Sequence, residues 1–146
     1  MMSGLENWAA GRLAVSVAAP DARERAWLCR LLEAAGIHCR AYADARGAVT
    51  AMQGGARGAG APDLLVTALR AERDWLRLAR ARSPGLVIIG FSPLIRANDP
   101  GRFAPLRGLL GADYVLPSPV DGAELLAVLV LAASDISDSH ALYRAS

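Results

Sequence analysis

The chain has 146 residues, 53% of them hydrophobic, and its 16 basic side chains against 14 acidic ones leave a formal charge of +2. That length makes one domain with one core the default, and the apolar share, above the ~45–50% of ordinary globular chains, excludes disorder away from the ends. A charge so near balance excludes a nucleic-acid binder that works through its overall field, so any basic surface must be local; every basic residue is arginine, for the sequence contains no lysine.

In chain order, residues 1–11 are expected to be an N-terminal extension. Their start, Met1-Met2-Ser3-Gly4-Leu5-Glu6-Asn7-Trp8, has neither the basic nor the apolar region of a signal peptide. Leu13 to Ala19 reads as a short apolar strand. Asp21 with Glu24 gives a capping-box-like helix start, ahead of apolar residues at helical spacing, Trp27, Leu28, Leu31, Leu32 and Ala35. Gly36 ends this helix as its C′ residue.

Ile37 to Ala43 reads as a second strand and Ala45 to Met52 as a short helix. The glycines at 54, 55, 58 and 60 come before a strand instead of opening a helix, so their loop reads as a linker and not a phosphate cradle. Leu64 to Leu69 is a third strand and Glu72 to Arg82 a third helix. Leu86 to Phe91 is the unbroken apolar run of a parallel strand buried on both faces. Arg102 to Leu110 is expected to be helical, Tyr114 to Leu116 a fifth strand and Gly122 to Ser134 a last helix. From Asp135 onward Ser, Asp and His dilute the apolar pattern, so residues 135–146 are expected to be a tail or the start of a linker. Five strands alternating with helices over residues 12–134 predict an α/β domain of three layers, a (βα)5 doubly wound parallel five-stranded sheet covered on both faces.

Candidate chemistry is sparse. Cys29 and Cys39, on the first helix and second strand, have no metal partner near them in sequence and read as free buried thiols. Neither His38 nor His140 is placed to activate Ser92 or Ser118. Asp44 follows the second strand, where dinucleotide-binding folds use an acid on a ribose, but the turn Ala18-Ala19-Pro20-Asp21 has no glycine for a pyrophosphate, so no cofactor is expected. Arg73, Arg77 and Arg80 recur at helical spacing, with Arg70 just ahead. They read as a solvated face, or as a dock for an acidic partner or phosphate, with Trp75 beside them in the core or half-buried.

The longest apolar run, Leu125 to Ala133, is far below the ~18 residues of a membrane span, and a cytoplasmic protein is expected. That run has no polar residue on either helix face, so a second copy of the chain is expected to cover the outer one. Leu126, Ala127 and Val130 would form the centre of that surface and Arg107 its rim.

Three segments carry a family resemblance. Pro62-Asp63-Leu64-Leu65-Val66, Val87-Ile88-Ile89-Gly90-Phe91-Ser92 and Gly111-Ala112-Asp113-Tyr114-Val115-Leu116-Pro117-Ser118-Pro119-Val120-Asp121 resemble, in register, the receiver domains of response regulators, with Ser118-Pro119 where the family has Lys-Pro. The resemblance spans Arg12 to Ser134 and implies the flavodoxin-like strand order 2-1-3-4-5. In receivers a pair of acids after the first strand binds magnesium, an aspartate ending the third takes the phosphoryl group, a hydroxyl residue ends the fourth and a lysine the fifth. A hard cation needs oxygen ligands and an acyl phosphate needs a carboxylate.

Carried over, the metal pair falls on Val17-Ala18 or Ala18-Ala19, and the phosphoacceptor on Ala68, or on Thr67 after a slip of one. The hydroxyl position is Ser92, the lysine position Ser118, and the aromatic switch slot Val115, with Tyr114 displaced by one. The loop after the third strand is shorter than in receivers. The resemblance also implies a cis Ser118-Pro119 bond and dimerisation through the last helix.

The expectation is a degenerate pseudo-receiver that is not an enzyme, holds no metal or cofactor and works without phosphorylation. It would serve as a protein-interaction or dimerisation module in signal transduction or transcription regulation. Its partners would be a second copy and an output domain, kinase or other regulator, with nucleic acid reached only through an output domain absent from this chain. The alternative is a small flavodoxin-like enzyme or cofactor-binding domain.

Overall fold

The computed structural model describes residues 14–54, 62–69, 73–83, 85–93 and 112–145. The strands are β1 (Val15–Ala18), β2 (Cys39–Tyr42), β3 (Leu64–Ala68), β4 (Val87–Ser92) and β5 (Tyr114–Pro117). The helices are α1 (Ala22–Ala34), α2 (Ala45–Gly54), α3 (Arg73–Arg82) and α4 (Gly122–Ala145). The helix expected over residues 102–110 lies outside the described residues. All pairings are parallel and the sheet order is β2-β1-β3-β4-β5, as the resemblance implies.

Successive strand side chains point to opposite faces, and both faces are covered. Val15, Val17, Val66, Ile89, Phe91 and Leu116 pack with Leu28 and Leu32 of α1 and Leu125 and Leu129 of α4. On the other side Leu65, Ile88 and Val115 pack with Val49 of α2 and with Leu76 and Ala79 of α3. Burial from both sides removes any polar alternation from β4, which is why its sequence is an unbroken apolar run.

Two aspartates close the amino-terminal edge. Asp63 Oδ2 accepts the Ala14 N–H at 2.8 Å while its own N–H donates to the Ala14 carbonyl at 2.8 Å, locking β3 beside β1. Asp113 accepts the Ile88 N–H at 2.8 Å and both Arg80 guanidinium nitrogens at 2.9 and 3.2 Å, tying α3 to the end of β5.

Asp21 caps α1 through the Arg23 N–H at 2.8 Å. Glu24 does not close the expected capping box, because its Oε2 faces the Ser118 hydroxyl, 3.5 Å away. Gly36 ends α1 with φ 82, the left-handed conformation that glycine adopts at no steric cost. Trp27 is a correction to the expected core stripe: it is 37% exposed. Leu28 and Leu32 point at the sheet, and Trp27 sits on the flank of the stripe they define.

The last helix also departs from expectation. It does not stop at Ser134 but runs for 24 residues to Ala145, about 36 Å at a rise of ~1.5 Å per residue. Between Ala123 and Ala145 there is no glycine or proline to end it. Ser and Asp in a helix interior cost under ~1 kcal/mol each, too little to break a helix already begun.

Candidate functional site at the carboxyl edge of the sheet

Open parallel sheets bind ligands outside the carboxyl ends of their strands. Here that edge is formed by Ala18, Tyr42, Ala68, Ser92 and Pro117, with Ala18 in register with Thr67, Ala68 with Phe91 and Ser92 with Pro117. The fold thus brings Ala18, Ala68, Ser92 and Ser118 to one rim, as the sequence predicts, but divides them into two groups.

Ala18 and Ala68 line a cavity of about 260 Å³, together with Pro20, Ala43, Asp44, Ala45, Thr67 and Leu76. Thr67 is buried, and its hydroxyl donates to the Ala68 carbonyl at 3.3 Å. Ser92 and Ser118 do not line this cavity. They are joined instead by the Ser118 N–H, which donates to the Ser92 carbonyl at 3.0 Å. The Ser118-Pro119 bond is cis.

Val17 is fully buried against the α1 and α4 side and does not reach the rim. Val115, at the switch slot, is fully buried on the opposite face, while Tyr114 packs on the α1 side.

The aspartates near this edge cap helices. Asp21, Asp44 and Asp121 are the N-caps of α1, α2 and α4, accepting from the Arg23, Gly47 and Ala123 N–H groups at 2.8, 2.7 and 2.8 Å. Asp44, which borders the cavity, is therefore committed to α2. Glu24 faces Ser118, and the Arg25 guanidinium donates to the Ala19 carbonyl at 2.6 Å, putting a cation over the end of β1. No group of three or more His, Cys, Asp or Glu able to hold a metal occurs among the described residues.

Leu69 continues β3 past its last strand residue. Its N–H donates to the Phe91 carbonyl at 2.8 Å, prolonging the β3–β4 pairing by one residue. Its side chain then lies on Gly90, so close that a Cβ there would meet Leu69 Cγ and Cδ2 at 2.5 Å. Neither this contact nor the Arg25 reach was predicted from sequence, since both depend on where loop backbone turns after a strand.

The other candidate surfaces are redrawn. Arg80 is spent on Asp113, so the arginine stripe on α3 retains Arg77 as its exposed member among the described side chains. Trp75 is half-buried as expected, with the Arg46 guanidinium 5.8 Å from its ring centroid. On α4, Ala127 is exposed while Leu126 and Val130 are half-buried. Leu131, which sequence reasoning left out, is 56% exposed; its position one turn beyond Ala127 was the signal available. Arg107 lies outside the described residues. No helix among those described is long and apolar enough to cross a membrane.

The fold is that of response-regulator receiver domains. A receiver domain from Methanospirillum hungatei superimposes with a TM-score of 0.70 at 14% identity, over 87% of this chain and 98% of its own. The receiver domain of the Pseudomonas aeruginosa sensor histidine kinase PA1611, whose structure has magnesium in its active-site cleft, gives 0.65 at 19% identity, over 84% and 98%. NtrX from Brucella abortus gives 0.75 at 18% identity, over 92% of this chain and 29% of that longer one. No family model matches the sequence, and no curated protein does.

Proposed function

We propose that this domain is a pseudo-receiver, a signalling module that acts by binding other proteins and not by taking up a phosphoryl group. The observation that supports this reading is the chemistry of the rim. Where a receiver needs carboxylates the chain offers Ala18, Ala19 and Ala68, and the aspartates nearby are helix caps. Alanine can neither ligate a hard cation nor form an acyl phosphate.

Thr67, Ser92 and Ser118 supply hydroxyls, but no described His stands beside them as a base, so no catalytic residue is assigned. The output would be contact with a second copy through the outer face of α4, or with an output domain, kinase or other regulator. The apolar residues on that face, Ala127 and Leu131 with Leu126 and Val130 beside them, support it. Burying them at ~25 cal/mol per Å2 favours association; the entropy of association offsets much of this, so micromolar affinity is expected.

The test is to record amide spectra with acetyl phosphate, or with beryllofluoride and magnesium at millimolar concentration. Unchanged spectra are expected. Shifts centred on Ala18, Ala68 and Ser92 would overturn the reading.

A further inference from the structure

Cys29 and Cys39 are the chain's two cysteines, and the fold places them together. Cys29 lies midway along α1, and Cys39 opens the edge strand β2. Both are half-buried and free, and both pack against the same apolar cluster. Cys39 Sγ is 4.0 Å from the Cys29 carbonyl oxygen, so the Cys39 sulfur lies against the Cys29 residue itself. A single half-buried cysteine is adequately explained as a small hydrophobe. The sulfur of one cysteine lying against the residue of the other, between a helix and an edge strand, is the kind of proximity a disulfide requires, since an S–S bond of ~2.05 Å forms only between neighbouring residues.

We propose that Cys29 and Cys39 form a dithiol oxidation site, at which a hydroperoxide converts the pair to an intramolecular disulfide linking α1 to β2. In the first step the Cys29 thiolate attacks the peroxide. An S–O bond forms, the O–O bond breaks, and the departing oxygen takes up a proton, leaving Cys29 as a sulfenic acid. In the second step Cys39 sulfur attacks the Cys29 sulfur. The S–S bond forms, the S–O bond breaks, and hydroxide leaves as water with the Cys39 proton. Overall two thiols and one hydroperoxide give one disulfide, one alcohol (or water, from hydrogen peroxide) and one water, each sulfur giving up one electron to the peroxide oxygens.

The order of the two steps follows from the surroundings. Burial, then the hydrogen bond with Cys29, then the charges of Cys29 and Glu33 push the Cys39 thiol up to about 12. A thiol held that high stays protonated at neutral pH and is a poor nucleophile, so Cys29 is taken as the first to react, and Cys39→Ser tests that order.

The experiment treats the full chain with equimolar hydrogen peroxide, traps remaining thiols with N-ethylmaleimide under denaturing conditions, and reads intact mass and a non-reducing gel. Expected are a mass lower by two hydrogens, loss of both trappable thiols, migration as a monomer, and full recovery with dithiothreitol. In Cys39→Ser, with Cys39→Ala as the substitute should it misfold, Cys29 should gain one oxygen and react with dimedone. Two thiols still trappable in the wild type, oxygen added without a disulfide, or disulfides joining two chains would each overturn the proposal.

Discussion

Replacing Gly90 with alanine tests the packing of Leu69 at a single atom. The added Cβ would sit 2.5 Å from both Cγ and Cδ2 of Leu69 and 2.6 Å from Cδ1, about 1 Å inside the ~3.5–4.0 Å at which carbon atoms attract. Because Cγ is among the clashing atoms, rotating the end of the leucine does not relieve the overlap, and either the side chain leaves Gly90 or the strand shifts. Overpacking of this kind costs ~1–3 kcal/mol. Alanine recovers ~0.5–1 kcal/mol of the entropy that glycine loses in a strand, so Gly90→Ala should destabilise by ~0.5–2 kcal/mol. Leu69→Ala removes the clashing atoms, and the double variant should be more stable than the two single effects added together, by ~1 kcal/mol or more. Urea denaturation followed by far-ultraviolet circular dichroism measures all four proteins. A Gly90→Ala protein as stable as the wild type, or strictly additive effects, would show that Leu69 does not pack on Gly90.

Leu131→Glu puts a charge on the exposed face of α4 without disturbing its buried side, so the variant should fold normally and shift light scattering from dimer to monomer; a wild type that is monomeric at high concentration removes this surface from the argument. Asp113→Ala deprives the Ile88 N–H and the Arg80 guanidinium of their shared acceptor and should cost ~1–3 kcal/mol, read as a lower urea midpoint, whereas an unchanged midpoint would make the link of α3 to the sheet dispensable. Since folding raises the Cys39 thiol to about 12, its contribution to stability is complete below the unfolded thiol value of ~8.5 and declines as pH rises from there towards 12. Cys39→Ser should flatten that alkaline decline relative to the wild type in pH-dependent urea melts, and identical slopes would refute the assigned burial.

The sheet was legible from the apolar runs of β1, β3 and β4, with Asp21 and Gly36 as punctuation for α1, and its order from the resemblance. The rim positions were legible only through the resemblance, since an alanine at a strand end says nothing by itself. Cys29 and Cys39 were readable singly as free thiols, though both are half-buried and not buried as expected, and they were not readable as neighbours, because contact between a helix and a strand depends on how α1 lies across β1 and β2. The end of α4 was misplaced for a different reason. Local composition weakens a helix by fractions of a kcal/mol per residue, while propagation adds a hydrogen bond for each residue fixed, so polar residues without glycine or proline do not mark a boundary.

The acids near the sheet edges bear on the proposed reading through what each one holds. Asp63 and Asp113 hold the amino edge of the sheet, and Asp21, Asp44 and Asp121 hold helix starts at the carboxyl edge. Arg25 reaches the end of β1, and Glu24 turns to Ser118. The aspartates at this edge already cap helices, and the Arg25 guanidinium lies on the Ala19 carbonyl at the end of β1. Restoring one acid at Ala68 would place an isolated charge beside Thr67, an apolar wall and the committed Asp44, without the second and third oxygen donors that a magnesium ion needs to shed water. On the proposed reading, recognition falls to the helices that cover the sheet.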